Sequence, residues 1–487
     1  MGLFDTALRI DAPGPSGVPM LNNFKLIRDP ARFLLGRVAP FEQPVVPATA
    51  ANGSVVVVRG REGVRQVFTD NAAFHRADGF FDLPPGRPWS GMFDAVVTAN
   101  GVEHTRRRKL LMPAVHRTAM THYRAVFADT FERSRFASTD PEPFDLTREC
   151  LRISKTNLMR CLLGLDAASL GGFASPGGTA SPDGFDSPDG FDSLGGFDSL
   201  GGFDSLDAFA DRIVTLGTEA FDPRVLLFKR DLPWTPYGRW LRRVAGAYER
   251  LADLIARRRA GEPRPDALSI LCHAVDEDGD RLSTEEIAGE LHGFFAAGFE
   301  TTAMTMSLAL ITLLGSPDPD AAPPDVSTVD DLAAVLKESQ RLLPAVPITL
   351  PRRVTATVEI AGSPPVPKGA LLFMSPLLEH RDPIVYPSPQ VFRPQRWHGT
   401  GPRQYEFIPF GLGPRRCLGA EFADLQVRTT LSLMLERGLP GLATSRVDYG
   451  MVNGVTAGPR RPVPVRAGRP KWTVLTGPVT AVWKPAT

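Results

Sequence analysis

The sequence predicts a mainly α-helical protein with a small β-rich region, an α+β fold with one long helix through its centre. Three observations support this. From about residue 101 onward, apolar positions recur with the helical period, and an apolar stretch at 283–314 is long enough for a central helix. Short β-branched or proline-rich runs lie at 15–70 and 345–395, so strands should be confined to those regions.

Composition places the chain among large globular proteins without a global charge bias. It has 487 residues, of which 43% are hydrophobic, and its formal net charge is +1. That apolar content suits a large buried core. So small a net charge implies no general attraction to nucleic acid or to acidic membranes, and any electrostatic recognition must come from local patches.

The sequence favours a cytoplasmic protein without a transmembrane anchor. Its four cysteines form no C-x-x-C pair, which is typical of a reducing compartment. Residues 1–17 lack the apolar core of a signal peptide. No run of about 18 purely apolar residues appears. Gly2 and Thr6 fit the short myristoylation pattern, which we attribute to chance.

The first elements follow in order along the chain. "GSVVVVRG" (53–60) is a β-branched run bounded by glycines and predicts a strand. Helical periodicity marks 103–116, 146–165 and 237–259. Residues 171–206 are rich in glycine, aspartate and serine, with a phenylalanine every six residues from 185 to 203. Four imperfect copies are too few for a solenoid, so we expect a duplicated flexible insertion.

The long apolar stretch has clear signals at both ends. Ser283 and Glu286 have capping-box spacing, and Gly315 ends the periodic pattern. A helix of about 30 residues is about 45 Å long. It is apolar nearly all round, so it should cross the protein interior. The acidic segment before it, 276–286, lacks the glycine position of a calcium-binding EF-hand and is expected to be a solvated loop.

Cys417 lies in an unusual setting, "FIPFGLGPRRCLGAEFA" (407–423). The glycines allow the backbone to approach a flat ligand closely. A helix start and Arg415 and Arg416 favour a thiolate, which is a good metal ligand. From the residues alone, an inert buried thiol, a disulfide half and a nucleophile remain alternatives. As a metal ligand without companion Cys or His, Cys417 would need a metal that brings its other ligands, as haem does.

Five positions in this segment match a known pattern. Phe410, Gly413, Arg415, Cys417 and Gly419 fit F-x-x-G-x-R-x-C-x-G. The segment resembles the haem-ligand loop of the cytochrome P450 family. The resemblance implies that the chain has the cytochrome P450 fold, with the long central helix over haem b (iron protoporphyrin IX). It also implies that Cys417 is the axial iron ligand and that Phe410 and Gly411 adjoin the cofactor.

The central helix carries a second match. "AAGFETT" (296–302) resembles the family's oxygen-activation segment. The resemblance implies that Ala297 and Gly298 leave room for dioxygen, and that Thr301 and Glu300 manage protons. The alternative is a threonine that bonds back to its own helix, with Glu300 at the surface.

A third match concerns structure rather than chemistry. Glu338 and Arg341 share one helix face, and "FRPQRW" (392–397) supplies Arg396. By resemblance to the family these three form a structural triad beside the haem.

The haem propionates need cationic partners. His104 and Arg108 are four residues apart, as in the family's H-x-x-x-R on the helix beside the haem. The resemblance adds Arg415 and either Arg352 or Arg353, of which the spacing to the following strand favours Arg352.

The matches run from about residue 20 to 468, so we expect one domain over 1–468. The insertion at 171–206 precedes the helices that form the family's lid, and the extension 469–487 has no assigned role. By alignment with the family, the substrate pocket is expected to be apolar and aromatic, with walls from Phe80, Phe81, Trp89, Phe93, Phe294, Val346, Ile348, Leu350 and Val452.

The resemblance implies a haem-thiolate monooxygenase. It would use dioxygen to hydroxylate or epoxidise a lipophilic small molecule such as a terpenoid, steroid, polyketide or fatty acid. Electrons would come from a separate ferredoxin with its ferredoxin reductase, or from a flavodoxin. The cations expected to cluster on the docking face are Arg106, Arg107, Lys109, Arg403 and Arg416. Alternatives are a peroxygenase, an isomerase or dehydratase of the same fold, and a non-catalytic haem sensor.

Overall fold

A computed structural model describes most of the chain. The described residues are 8–76, 83–164, 212–213, 215–217, 219–220, 222, 224–225, 229–318, 320, 323–399, 401–452, 455–467 and 473–476. The repeat at 171–206 and the pocket candidates Phe80 and Phe81 lie outside them.

Helices make up nearly half of the described residues and strands a much smaller share, as the sequence predicts. The α-helices are α1 (Pro19–Arg28), α2 (Pro30–Phe33), α3 (Gly60–Thr69), α4 (Gly101–Leu111), α5 (Arg117–Glu132), α6 (Leu146–Leu163), α7 (Pro236–Ala260), α8 (Ala267–His273), α9 (Thr284–Gly298), α10 (Glu300–Leu314), α11 (Val329–Leu342), α12 (Pro376–Glu379) and α13 (Ala420–Arg437). A π-helix spans Leu34–Val38, and 3₁₀-helices span Met112–Val115, Pro394–Trp397 and Gly413–Arg415.

The strands are short and gather into small sheets. They are β1 (Val45–Thr49), β2 (Asn52–Val58), β3 (Phe74–Arg76), β4 (Phe144–Asp145), β5 (Gly315–Ser316), β6 (Arg352–Val354), β7 (Leu371–Met374), β8 (Gly441–Leu442), β9 (Tyr449–Met451), β10 (Ala457–Pro459), β11 (Pro464–Arg466) and β12 (Thr473–Val474). The largest sheet has the order β1-β2-β7-β6-β3, in which only β2 and β7 are parallel.

The predicted central helix is present, but it is interrupted at Phe299 between α9 and α10. The predicted capping box forms, since the Ser283 hydroxyl accepts from the Glu286 N–H at 3.1 Å. At the interruption, hydroxyls from other positions occupy the backbone carbonyls. Ser154 of α6 donates to the Phe299 carbonyl at 2.8 Å, and Thr302 donates to the Gly298 carbonyl at 2.9 Å. Such bonds compete with the helical ladder and bend helices.

The central helix is also the one described segment, Thr284–Leu314, that is long and apolar enough to cross a membrane by length and composition. Of its most apolar window, 56% is buried inside the protein, as in the core helix of a globular fold. α10 packs against α6 and α11, and its buried residues include Leu308, Leu310 and Leu314. α10 also contacts α13, the helix that begins at Ala420 just after Cys417.

The C-terminal extension is ordered where the structure describes it. β12 pairs in parallel with β5, directly after the end of the central helix. The Leu475 N–H donates to the Ser316 carbonyl at 2.7 Å, and the Leu475 side chain is buried in the core. This part of the extension belongs to the packed fold.

Candidate cofactor site

The Cys417 segment is a tight, preorganised loop. The Cys417 N–H donates to the Phe410 carbonyl at 2.9 Å, and the Arg416 N–H donates to that of Gly413 at 3.0 Å. Gly413 has a φ of 67°, which favours glycine. A Cβ there would lie 2.4 Å from the Phe68 carbonyl oxygen of α3. Packing against α3, rather than the approach of a ligand, therefore requires glycine at this position.

The Cys417 side chain is exposed, whereas the three other cysteines are buried. Close protein surroundings nevertheless raise the pKa of the Cys417 thiol, while the backbone at Gly419 and the charges of Arg416 and Arg108 act to lower it. The arginines and the backbone therefore act in the predicted direction, towards the thiolate, but desolvation outweighs them. Deprotonation would instead have to come from a bound metal ion, which removes the proton of a coordinating thiol.

Cationic side chains converge near Cys417. Arg108 of α4 interacts electrostatically with Cys417 and with Arg415. His104, one turn earlier on α4, is buried, and its pKa falls to about 4 because of desolvation and the charges of Arg415, Arg108 and Arg352. Burial and the charge of Arg415 lower the pKa of Arg352 to about 10. The structure therefore brings the four predicted propionate partners into one cluster.

A fifth member, Arg76 of β3, was missed by the sequence analysis. Burial and the charges of Arg352 and Arg415 lower its pKa to about 9. Asn100, also missed, accepts hydrogen bonds through Oδ1 from Arg415 Nη2 at 2.7 Å and from the Arg76 N–H at 2.8 Å. The only signal for Arg76 was its place in "FHR", a short strand run, and that says nothing about its partner strand.

Arg352 and Arg353 differ in their contacts. Arg353 donates from Nη1 to the Gly369 carbonyl at 3.3 Å. Arg352 is buried, and its Nη1 has no hydrogen-bond partner among the described residues. Arg352 belongs to the cluster and Arg353 does not.

This cluster tests whether haem fits the site. Buried nitrogens of Arg76, Arg352 and Arg415 find no hydrogen-bond acceptor in the described part of the chain. Buried cations that lack partners cost free energy, and the two carboxylates of a haem would offset that cost. The described residues hold no group of three His, Cys, Asp or Glu side chains placed to share a metal ion. The residues present therefore fit a metal that arrives in its own planar ligand.

The central helix presents its predicted residues at the interruption. Ala297 is exposed, and Glu300 and Thr301 are half-buried, in a helix that is otherwise largely buried. A Cβ at Gly298 would lie 3.1 Å from Leu158, so this glycine also serves the contact with α6. The Thr301 hydroxyl donates to the Ala297 carbonyl at 2.8 Å. This bond is the one expected in the alternative interpretation, in which the threonine bonds back to its own helix. The same alternative placed Glu300 at the surface, whereas Glu300 is half-buried.

Glu338, Arg341 and Arg396 lie together in the interior. Both Glu338 oxygens accept from Arg341 at 2.9 Å, and Oε1 also accepts from Arg396 Nε at 3.0 Å. The Glu338 and Arg341 side chains are fully buried. Trp397, which the sequence analysis did not single out, donates from Nε1 to Glu338 Oε2 at 2.9 Å. The carboxylate is therefore held by three side chains rather than two.

The predicted pocket residues differ in accessibility. Trp89, Phe294, Val346 and Leu350 are half-buried, Ile348 is buried and Val452 is exposed. Phe93 is enclosed, because its ring stacks on Trp240 and meets His292 edge-on, with centroids 5.8 Å and 4.6 Å away. In this conformation Phe93 is part of the buried core.

The predicted docking cations do not form one free cluster. Arg106 Nη1 bonds Glu286 at 2.6 Å, and Arg107 Nη1 approaches Glu290 at 3.5 Å. Both arginines also pair with Glu103. The prediction is wrong for these two residues, because acidic side chains of α4 and α9 neutralise them.

The other three docking candidates differ from that pair. Arg416 forms an ion pair with the exposed Glu421 at 3.0 Å. Lys109 and Arg403 are both exposed to solvent.

Comparisons with known proteins agree with this geometry. A family model described as Cytochrome P450 matches residues 12–322 and 324–437. Putative cytochrome P450 138 of Mycobacterium tuberculosis is 28% identical over 449 residues, which cover 88% of this chain and 90% of that protein. Putative cytochrome P450 137 of the same organism is 38% identical over 192 residues, 38% of this chain and 40% of that protein.

Solved structures share the fold. Cyanobacterial CYP120A1 with bound retinoic acid aligns with a TM-score of 0.68 at 21% identity and covers 94% of this chain and 99% of its own. CYP109E1 from Bacillus megaterium, in complex with testosterone, aligns with a TM-score of 0.59 at 18% identity and covers 85% of this chain and 93% of its own.

Proposed function

The chain belongs to the cytochrome P450 family, a class of oxygen-incorporating monooxygenases, and from this premise we propose that it hydroxylates or epoxidises a lipophilic small molecule. The cofactor is proposed to be haem b held by Cys417, and the electrons are proposed to come from a separate redox partner. A cytoplasmic location is proposed on the same basis.

One observation carries this proposal: arginines with buried nitrogens that lack an acceptor among the described residues gather beside an accessible cysteine. Arg108 links the two parts, since its charge acts on both Cys417 and Arg415. A dianionic, planar, metal-bearing ligand satisfies the cations and the sulfur at once.

The chain's own residues then divide the work. Bound haem would supply the activation of dioxygen, with the cysteine thiolate pushing electron density towards the iron. His104, Arg108, Arg352 and Arg415 would orient it through its carboxylates. The small side chain of Ala297 leaves space beside the helix interruption.

Proton handling is proposed for Thr301 and Glu300. In the present conformation the Thr301 proton is directed at the Ala297 carbonyl, so its oxygen lone pairs are free to accept a proton donor from the open side. Rotation of the hydroxyl would make it a donor towards the same space. The half-buried Glu300 would connect this position to solvent.

A lipophilic substrate is supported by the accessible apolar side chains and by two structural neighbours. Trp89, Phe294, Val346 and Leu350 present half-buried apolar surface. The neighbours were solved with retinoic acid and with testosterone. Terpenoids, steroids, polyketides and fatty acids share that chemistry.

For electron delivery we propose a ferredoxin with its reductase, or a flavodoxin. The family generally uses a redox partner. Exposed Lys109 and Arg403 offer positive charge to an acidic partner. Reduction should slow as salt rises, whereas salt-independent kinetics would contradict this arrangement.

The Thr301–Ala297 hydrogen bond favours a second candidate, a peroxide-driven or isomerising enzyme that needs no proton delivery. Product formed with peroxide alone, and none with dioxygen plus an electron donor, would select it. Product formed only with the donor would select the monooxygenase.

The test of the haem-thiolate assignment is the absorption spectrum of the reduced, carbon-monoxide-bound protein. We expect the red-shifted Soret band of thiolate ligation, and we expect Cys417→Ser to abolish it. Cys272→Ser, at a buried free cysteine, is the matched control and should keep the band. Folded, haem-loaded protein without that band would overturn the assignment.

A further inference from the structure

Helix α1 is amphipathic, but its apolar side faces solvent and its polar side faces the protein. Its outward residues Met20, Leu21, Phe24 and Ile27 are apolar and between 40% and 56% exposed. Its inward side carries Asn22 and Asn23, which are 2% and 1% exposed, together with buried Leu26. A surface helix normally turns its apolar stripe inward. A contiguous apolar face on the outside of a folded domain marks an interaction surface.

The inward amide of Asn22 fixes this orientation. Asn22 Nδ2 donates to the Ala48 carbonyl at 3.1 Å and to Thr49 Oγ1 at 3.0 Å, both on β1, and to the Ser16 carbonyl at 3.2 Å. Rotating α1 to bury its apolar face would break these buried bonds, which is costly. The apolar side chains are therefore held outward by the sheet beneath.

Positive charge borders the apolar face. At 100° per residue, Lys25 and Arg28 lie on the same outward half of α1 as Phe24, and both are exposed. Arg32 and Arg37 are exposed on the turns that follow. The one acid between residues 18 and 38 is Asp29, which is half-buried and accepts from the Arg32 N–H at 3.1 Å. This local patch is strongly cationic although the chain as a whole is nearly neutral.

We propose that α1 docks on the surface of an anionic phospholipid bilayer. Met20, Leu21, Phe24 and Ile27 would enter the boundary between headgroups and acyl chains, and Lys25 and Arg28 would bind lipid phosphates. Phenylalanine and leucine on one face with lysine and arginine beside them are the composition of helices that lie in that interface. Charge complementarity selects anionic lipid as the occupant.

A second copy of the chain fits this face less well. A two-fold symmetric contact through α1 would bring the Lys25 and Arg28 charges of both copies into one interface. Like charges across an interface oppose association. The cations thus argue for an anionic partner.

The experiment uses full-length, haem-loaded protein and vesicles of phosphatidylglycerol mixed with phosphatidylcholine, compared with phosphatidylcholine alone. We expect sedimentation with the anionic vesicles and release as salt rises. Phe24→Ser with Ile27→Ser should lower partitioning at least about 10-fold. Lys25→Glu with Arg28→Glu should lower it about 10-fold or more on anionic vesicles.

The matched control is Ile384→Ser, which removes another exposed apolar side chain, 91% exposed and away from α1 in sequence. It should bind vesicles as the wild type does. Circular dichroism and the absorption spectrum report whether each variant is folded and loaded. Absence of vesicle binding by the wild type overturns the proposal, as does binding that survives both double substitutions. A dimer that dissociates on Phe24→Ser with Ile27→Ser, without vesicle binding, would assign the face to a second copy instead.

Discussion

Arg76 of β3 and Arg352 of β6 stand directly opposite each other across an antiparallel pair, and both side chains are buried. Like charges at directly opposed positions destabilise a sheet. Their burial and mutual repulsion lower the pKa of Arg76 to about 9. A protein that places two arginines in this way needs an anion between or beside them, and haem carboxylates are suited to that role.

The first prediction follows from this pair. Arg352→Met or Arg76→Met should speed haem loss at least about 10-fold, because each removes a charge-assisted hydrogen bond to a carboxylate. The haem-free protein should unfold no more easily than the wild type, since a buried repulsion is relieved. Haem transfer to apomyoglobin measures the first effect, and denaturant unfolding measures the second. Arg353→Met is the control. Unchanged transfer in both variants would contradict the assignment.

The second prediction concerns Thr301. Thr301→Ala should retain haem and the thiolate-type spectrum. Its ratio of product formed to oxygen consumed should fall several-fold, because a positioned hydroxyl is lost where protons are needed. Thr301→Ser should restore most of the coupling. The product-to-oxygen ratio in steady state measures this.

The control for Thr301 is Thr305→Ala. Thr305 makes the same kind of bond one turn later, from its hydroxyl to the Thr301 carbonyl at 2.8 Å. Equal uncoupling in the two alanine variants would assign the effect to helix geometry rather than to the Thr301 hydroxyl.

Local signals allowed much of the fold and the Cys417 loop to be predicted. The Ser283 cap, for instance, depends on residues three apart, and sequence shows such spacing directly. The interruption at Phe299 could not be predicted, because the Ser154 hydroxyl that stabilises it comes from a distant helix. Arg76 was missed for the same reason, since its role depends on pairing with β6.

Surface charge was the least predictable feature. Arg106 and Arg107 were expected to join a cationic docking face, and among the partner acids in the described part of the chain Glu103 is the one that lies near them in sequence. Glu286 and Glu290 lie on one face of α9, and only the packing of α4 against that face brings the charges together.

The third prediction is a pH dependence that arises from Glu290. This buried carboxylate accepts from the Val96 N–H at 2.8 Å and faces Arg107 and Glu286. Burial raises the pKa of Glu290 to about 7. The folded state therefore holds a proton that the unfolded state releases above about pH 4.5, so stability should fall from about pH 4.5 to 7 and then level off.

The substitution Glu290→Gln removes this titration and keeps the carbonyl acceptor for Val96. The free energy of unfolding of the wild type relative to this variant should fall by about 1–3 kcal/mol between pH 5 and 8. Urea unfolding at the two pH values gives the difference. Glu285→Gln, at an exposed position of the same helix, should show a constant offset. A constant offset for Glu290→Gln as well would rule out a raised pKa in the folded state.

The fourth prediction concerns the C-terminal extension. Its described part pairs with β5, the strand that directly follows the central helix. Leu475 is buried, and a Cβ on Gly315 would lie 2.5 Å from the Thr473 carbonyl, so β5 and β12 are fitted closely. Truncation after residue 472 should lower the free energy of unfolding by about 2–5 kcal/mol, the cost of emptying a leucine site. Truncation after Thr476 keeps the β5–β12 contacts and should be near neutral. Leu475→Ala in the full chain separates side-chain packing from strand pairing. If both truncations unfold at the same denaturant concentration as the full chain, β12 contributes nothing to stability and the extension must serve another purpose.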